Sequence, residues 1–486
     1  MGFGMASHLL RSGFEVIGFD VYQPLMEKLV AKGGQSAESP REAAKGVEFF
    51  ICMVANISQA RPLLFDPDTG AVTALPRDAT IVMCSTVAPA DIDEIVRTLD
   101  ASGRPDIRLI DSPVSGGAGR AADGTLSIFS SGQDLDLAHA RSILECMSAK
   151  LYHIPGGLGG GSKAKLIHQI FAGVNIAMAS EAMGVAAAAG LNTQLAFDEL
   201  KESEGNSWMF SNRVPHMLDP TLPPYSAIAI IIKDVGIITT TSQALKFDLP
   251  LLYESEKLYT AGESTGWSRE DDCVIVRLYL PGRPDLVSQQ AKSFVPSESP
   301  AVSVIDVQDL MIGVHLAAMS EAVSFCGRLG IDTDLMFDIV SNAAGSSAVF
   351  VKHFKEMQEG KWSLRSITGV GEIRDRLVSL YCRQGYLLLI YGLVGCCGQG
   401  SKALRCPTPV FGSAGTIQPT AWMIVGSHDF SPQTTDLQPP LGQCLRPSGF
   451  SSRGHRYLQR TLRADLTEEG ITASSHSHND CISEIP

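Results

Sequence analysis

Residues 111–126 read Asp-Ser-Pro-Val-Ser-Gly-Gly-Ala-Gly-Arg-Ala-Ala-Asp-Gly-Thr-Leu and form the most chemically suggestive stretch of the chain. A mostly apolar run, Ile107 to Ile110, feeds a turn that holds the hydroxyl of Ser115 and the bare backbone amides of Gly116 and Gly117. Glycines let a backbone approach a small anion closely and point N–H groups at it, so this turn suits a carboxylate. Further along, a second glycine cluster opens a long apolar segment that carries Lys165. An anion clamp followed by a lysine at the head of a helix suggests catalysis on a small hydroxy acid.

Such groups need a scaffold, and the flanking pattern describes one. Met1 to Leu10 has helical spacing, with the helix ending near Gly13, and Glu15-Val16-Ile17-Gly18-Phe19-Asp20 reads as a short strand finishing in an acid. Helix, strand and terminal acid form the latter part of a βαβ dinucleotide-binding unit. Gly2 would be the last glycine of its G-x-G-x-x-G loop, and Asp20 the acceptor for an adenosine ribose. The strand and first glycines before that helix are expected to be missing. On this signal alone, Asp20 is equally an ordinary strand-end acid.

Phe49 to Val54 and Thr80 to Cys84 are apolar strand candidates, each followed by a loop and a helical pattern, as a parallel sheet covered on both faces requires. Arg108 to Asp111 and Leu126 to Ser130 are expected to continue that sheet. The loops holding Met53 and Val54, and Ser85 and Thr86, fall at carboxyl ends of strands, where open α/β sheets bind ligands. From Gly159 to Ala261 helical signals dominate. Lys165 to Ala189 reads as a buried helix, with shorter ones at about 193–203, 207–217, 226–246 and 249–261. The fold class expected is an α/β Rossmann-type doubly wound sheet followed by an all-α domain.

That helical domain recurs at a constant offset of 140: residues 173–217 and 313–357 share 15 identities in 45 ungapped positions, several times chance. Gly173/Gly313, Ser180/Ser320, Glu181/Glu321, Gly190/Gly330, Gly205/Gly345 and Ser207/Ser347 are among them. The copies differ where chemistry is expected: Lys165 becomes Ile305, His168 becomes Gln308 and Gln169 becomes Asp309. The second copy keeps packing residues, loses the lysine and looks structural. The expected organisation is therefore 1–155 for the cofactor domain and 156–282 for the helical domain. A Pro/Ser/Gln-rich linker at 283–304, a partial second copy at 305–380 and an irregular or disordered tail at 381–486 complete it.

Composition narrows the partners. Hydrophobic residues at 44% and charged ones at 19% are globular values, and a net charge of −13 with no basic block argues against nucleic acid. Eleven scattered cysteines suit reduced thiols in the cytosol, so a cytoplasmic location is expected. The longest apolar run, Tyr386 to Cys397, has 12 residues against the roughly 20 that a bilayer span needs, so no membrane partner is expected. His8, His476 and His478 lack a spaced set of further ligands, and no metal is assigned.

Four blocks together resemble the β-hydroxyacid dehydrogenase family, which includes 3-hydroxyisobutyrate dehydrogenase and tartronate semialdehyde reductase and is related to 6-phosphogluconate dehydrogenase. Met1-Gly2-x-x-Met5-Ala6-x-x-Leu9 is similar to the end of its cofactor signature. Asp111 to Gly117 with Gly124-Thr125-Leu126 resembles its substrate clamp. Gly156-x-x-Gly159-x-Gly161-x-x-x-Lys165 resembles its catalytic block, and Lys233-Asp234 its later active-site pair. The likeness covers roughly residues 1–280, and the duplicated helical domain looks more like the L-threonate dehydrogenase branch.

The resemblance implies NAD-dependent oxidation of a small β-hydroxy acid, with NADP as the alternative cofactor. It implies Lys165 as the general acid/base, its pKa lowered by desolvation or a nearby positive charge. Ser115, Gly116 and Gly117 would hold the substrate carboxylate. His168 and Gln169, at i+3 and i+4 where the family usually carries asparagines, would orient substrate or tune the lysine. Gly2, Asp20, Met53, Val54, Ser85, Thr86 and Lys233 would face the cofactor, with Asp20 favouring NAD because a 2′-phosphate would meet a carboxylate. The helical domain usually dimerises in this family, so the second copy is expected to pack on the first as an intramolecular pseudo-dimer, or the chain to form a homo-oligomer. Two alternatives stay open: a catalytically impaired member acting as a binding or assembly module, and a mispredicted fragment of a larger multidomain enzyme.

Overall fold

In this computed structural model, which describes residues 1–294, 302–359, 402–404 and 423–425, strands and helices alternate through the first 153 residues. They run α1 (Gly2–Arg11), β1 (Ile17–Gly18), α2 (Gln23–Val30), β2 (Gln35–Ser36), α3 (Pro40–Ala43), β3 (Phe49–Cys52), α4 (Ile57–Phe65), β4 (Thr80–Met83) and α5 (Pro89–Ala101). Then come β5 (Arg108–Asp111), β6 (Val114–Ser115), α6 (Gly117–Asp123), β7 (Leu126–Ser130), α7 (Asp134–His139), α8 (Arg141–Cys146) and β8 (Ser148–His153).

The apolar runs pair as parallel strands, β3 with β4 and β4 with β5, and all four residues of β4 are buried. Of the expected strand 15–20 only Ile17 and Gly18 pair, with Gln35 and Ser36 of β2 in a separate parallel ribbon. Among the described residues no pairing joins β1 to β3. Helix α1 packs on α6, and its Met5 and Leu9 share a core with Val82, Ile110, Val114 and Ile128. Gly4 permits its close approach to α6, since a Cβ there would stand 2.8 Å from the Ala122 nitrogen.

Leu126 to Ser130 does not continue the parallel sheet as expected. β7 runs antiparallel to β6 and parallel to β8, and one antiparallel bridge, Asp111 with Ser131, ties this second sheet to the first. The clamp turn is the reason. A parallel neighbour of β5 needs a full crossover, whereas β6 sits at the edge and α6 folds the chain straight back along it.

The helical half contains α9 (Gly160–Ala188), α10 (Thr193–Lys201), α11 (Trp208–Leu218), α12 (Ile228–Ala244), α13 (Pro250–Ser264) and a 3₁₀ helix, Asp272–Tyr279. It goes on through α14 (Leu286–Lys292), α15 (Val304–Leu329), α16 (Thr333–Ser341) and α17 (Ala348–Gln358). Alanine-rich α9 is the axle, buried along nearly its whole length. By length and composition α9 and α15 could each cross a bilayer, but the apolar window of α9 is 100% buried inside the fold and that of α15 61%. A helix apolar all round is what a core position demands. The expected linker at 283–304 carries α14, because Val287 is buried and its carbonyl accepts the Thr193 hydroxyl at 2.6 Å. In the expected tail, β9 (Lys402–Leu404) and β10 (Met423–Val425) pair antiparallel. The rest of that tail, and the second copy beyond residue 359, lie outside the described residues.

The two copies pack on each other about a pseudo-twofold axis. Ser207 pairs with Ser347, its own repeat mate, through Trp208 N–H to Ser346 O and Ala348 N–H to Asn206 O, both 2.9 Å. Each copy caps its helices alike: Asn192 and Asp332 accept from the N–H groups of Leu195 and Leu335, Ser207 and Ser347 from those of Phe210 and Phe350. On α15, Glu321 caps the otherwise uncapped α13, accepting the N–H groups of Leu251 at 2.7 Å and Leu252 at 3.4 Å.

Burial pushes the Glu321 carboxyl up to about 7, against those two bonds. An acid whose pKa is raised on folding costs stability as pH climbs from its unfolded value, near 4.5, through 7. Glu321→Gln, whose amide oxygen can still accept from Leu251, should therefore raise the melting temperature at about pH 8 and leave it nearly unchanged at about pH 4. Thermal unfolding across that range checks the sign.

Candidate active site

The site is built from the end of β5. There Asp111 is fully buried at the head of α9. Its Oδ2 accepts the Ser162 N–H at 2.7 Å, its Oδ1 the Ser162 hydroxyl at 2.8 Å, and the Ser131 hydroxyl donates to Oδ2 from 3.4 Å. The Gly161 N–H in turn donates to Ser131 Oγ at 2.8 Å. Helix starts leave N–H groups that the helix cannot satisfy, and here two strand ends supply the acceptors. Gly161 is required, because a Cβ would stand 2.6 Å from the Asp111 carbonyl oxygen. Burial pushes the Asp111 carboxyl up to about 6 while its hydrogen bonds pull it down.

One turn further along α9, Lys165, His168 and Gln169 are all buried. Lys165 Nζ donates to Gln169 Oε1 at 3.1 Å, and His168 Nδ1 lies 2.9 Å from the same oxygen. The Gln169 amide donates to Asp234 Oδ2 at 2.5 Å. From the other side, Ser115 Oγ lies 3.3 Å from His168 Nε2, so the clamp and the lysine helix meet through the imidazole. Gly116 and Gly117 follow with φ of 137° and 73°, conformations that favour glycine. The stem of Arg120 covers Gly116, leaving a Cβ there only 2.7 Å from Arg120 Cδ.

Burial pulls the Lys165 ammonium down to about 8, opposed by the charge of Asp234 and assisted by that of Lys233. His168 falls well below its ordinary range, first through burial and then through Lys165, so it stays neutral. The pair Lys233-Asp234 is an ion pair at 2.5 Å, yet Asp234 is buried and serves Gln169 as well.

The expected cofactor residues converge in part. Ser85 Oγ accepts the Val54 N–H at 2.8 Å and donates to the Cys52 carbonyl at 3.4 Å, binding the loops after β3 and β4 together. Lys233 Nζ reaches the Thr86 carbonyl at 3.4 Å, joining the helical half to the same loop. Gly2 opens α1 beside Met53, and no side chain caps that helix. Asp20 is exposed beyond β1, with Oδ1 accepting the Tyr22 N–H at 2.8 Å, and its charge is felt by the Met1 amine next to Gly2. Three members of this network escaped the sequence reading in the place they hold: Asp111 as the anchor of α9, Asp234 as the partner of Gln169, and Gly345 of the second copy, whose N–H lies 3.2 Å from His168 Nε2. For Gly345 the repeat was the available signal.

The fold is that of a Rossmann-type dehydrogenase followed by a helical half, and known proteins agree. Residues 1–156 match the NAD binding domain of 6-phosphogluconate dehydrogenase. Residues 159–279 and 306–367, on the two helical copies, match the NAD-binding family of NADP-dependent 3-hydroxyisobutyrate dehydrogenase. The chain belongs to the β-hydroxyacid dehydrogenase family. It is 34% identical over 289 residues to L-threonate dehydrogenase of Cupriavidus necator, covering 59% of this chain and 96% of that protein. With 3-hydroxyisobutyrate dehydrogenase of Pseudomonas aeruginosa it shares 30% over 259 residues, 52% of this chain and 85% of the relative. The crystal structure of 3-hydroxyisobutyrate dehydrogenase from Salmonella typhimurium superposes with a TM-score of 0.54 at 35% identity, over 57% of this chain and 95% of that one.

Because Asp234 is the group that holds the Lys165 pKa up, Asp234→Asn should move the lysine titration below about 8. Lysine-selective NMR against pH reads that shift without any turnover.

Proposed function

We propose that the protein is an NAD-dependent dehydrogenase of a small β-hydroxy acid, with a four-carbon sugar acid such as L-threonate as the first substrate to test. One observation carries this reading: a buried lysine poised at about 8 lies in a hydrogen-bonded network that also holds the Ser115–Gly117 turn. The similarity to L-threonate dehydrogenases over nearly their whole length supports the choice of substrate.

In this reading Ser115 and the backbone N–H groups of Gly116 and Gly117 bind the carboxylate. Lys165, neutral above about pH 8, accepts the proton of the substrate hydroxyl, and the positive charge it gains is offset by Asp234. Gln169 holds Nζ in place. A bound nicotinamide supplies the hydride acceptor. The uncapped start of α1 at Gly2 suits a pyrophosphate, the ledge of Met53, Val54, Ser85 and Thr86 the middle of a dinucleotide, and the exposed Asp20 a ribose diol. Lys233 closes over that ledge from α12.

Two outcomes follow. In the oxidation direction kcat/KM should rise with pH through about 8, since the deprotonated lysine is the active form, and Lys165→Ala should lower kcat by roughly 10²–10⁴. Initial-rate measurements across pH check both, and undiminished turnover in the variant would remove Lys165 from the role. Asp20→Ala should raise the preference for NADP relative to NAD, read as the ratio of kcat/KM for the two cofactors. Calorimetric titration that detects no NAD binding would favour the alternative of a non-catalytic binding module.

A further inference from the structure

The second helical copy has lost the lysine, yet its contact with the first is not symmetrical. Gly345 lies in the turn before α17, and its main chain is bonded twice to α9: its N–H donates to His168 Nε2 at 3.2 Å, and its carbonyl accepts from Asn175 Nδ2 at 3.2 Å. The pseudo-twofold axis carries these contacts onto Gly205 against Gln308 and His315. The steric half of the contact is preserved there. A Cβ at Gly345 would stand 3.1 Å from the His168 carbonyl oxygen and 3.0 Å from Phe171 Cβ. One at Gly205 would stand 3.3 Å from the Gln308 carbonyl oxygen and 3.3 Å from Met311 Cβ. The polar half is not preserved. The Gly205 N–H turns to Ser203 Oγ, and neither ring nitrogen of His315 has a hydrogen-bond partner among the described residues. The two extra bonds are made only toward the helix that carries Lys165.

We infer that Gly345 is a positioning residue for the candidate site: its N–H selects the tautomer of His168 and so orients the bridge to Lys165. This rests on the proposed reading of the Lys165 site. A backbone N–H can only donate, so the Nε2 it meets must carry the lone pair and the ring proton must sit on Nδ1. The Nδ1–H then donates to Gln169 Oε1, the only arrangement in which that oxygen receives both the imidazole and Lys165 while the amide donates to Asp234. The Ser115 hydroxyl, 3.3 Å from the same Nε2, turns its one proton toward that nitrogen when the clamp is empty and releases it to a bound carboxylate, since the Gly345 N–H already occupies the Nε2 lone pair. With Nε2 protonated instead, the Gly345 N–H would face another donor, Gln169 would lose one of its two donors, and Nζ could swing. Among the described residues the second copy makes no hydrogen bond or ion pair to Lys165. It acts through the imidazole.

The mirror-related glycines supply the test. Gly345→Ala and Gly205→Ala load the same packing contact, so in the full chain both should lower the melting temperature comparably. Only Gly345→Ala should lower kcat, by roughly tenfold or more for a displaced catalytic group, with KM for NAD unchanged. Nitrogen NMR of histidine-labelled protein, with the His168 signal identified from a His168→Asn variant, should show the wild-type ring protonated at Nδ1 and Gly345→Ala as a mixture of tautomers. A wild-type ring protonated at Nε2, or equal loss of kcat in the two glycine variants, would overturn the inference. The tautomer measurement needs no turnover, so an inactive wild-type protein would refute the proposed reaction while leaving this assignment decided separately.

Discussion

The buried carboxylate of Asp111 is the joint on which the two halves turn. It ends β5, receives the Ser162 backbone and hydroxyl, and with Ser131 and Gly161 fixes the first turn of a 29-residue helix. Every site group on α9 inherits its place from that turn: Lys165 lies three residues beyond Ser162, His168 and Gln169 one turn further. A buried acid is expensive unless its oxygens are occupied, and these are occupied by donors from the helix start and from β7's end. The strain-free route past the joint depends on glycines. Gly159 takes a φ of 83° that favours glycine, and Gly161 lies against the sheet backbone where a side chain would collide.

From that joint a directed chain of polar groups runs inward. Gly345, His168, Gln169, Lys165 and Asp234 exchange hydrogen bonds in which each donor meets an acceptor, and the apolar surroundings make mismatches costly. The same burial that makes the network exacting lowers the lysine to about 8 and holds His168 neutral. Duplication of the helical unit gives this network a closed back wall. The repeat preserves the packing glycines on both sides of the pseudo-twofold axis, while the glycine-to-helix polar bonds are made on one side only, so a copy without the site lysine still bears on the chemistry of the other.

Much of the fold was legible in the chain because apolar patterning and punctuation report it directly. The runs at 49–54 and 80–84 became β3 and β4, and the helices after residue 160 fell within a few residues of their expected bounds. The offset-140 repeat was visible as identities at glycines, caps and packing residues, which are the positions that rebuild the same backbone. Three features were not. Residues 126–130 left the parallel sheet because β6 intercepted them, a pairing choice that strand propensity does not encode. Part of the supposed linker became α14 because of where Val287 could be buried. Asp111 is legible as part of a motif but its role is not, since a strand-end acid looks the same whether it meets solvent or a helix start.

Residue types and spacing alone determined the chemistry available to this protein: a hydroxyl and two bare amides in one turn, a lysine followed by two polar residues on its own helical face, a duplicated scaffold. Spacing along one element is a local property, and helical periodicity carries it. Tertiary structure alone decided what those groups do to one another. Burial set the lysine's proton affinity, Asp234 and Lys233 came from a helix about seventy residues away to adjust it, and a glycine 177 residues from His168 chose which ring nitrogen is free. Desolvation and hydrogen-bond direction depend on neighbours that only folding assembles, and for that reason the clamp and the lysine could be read as parts but not as one site.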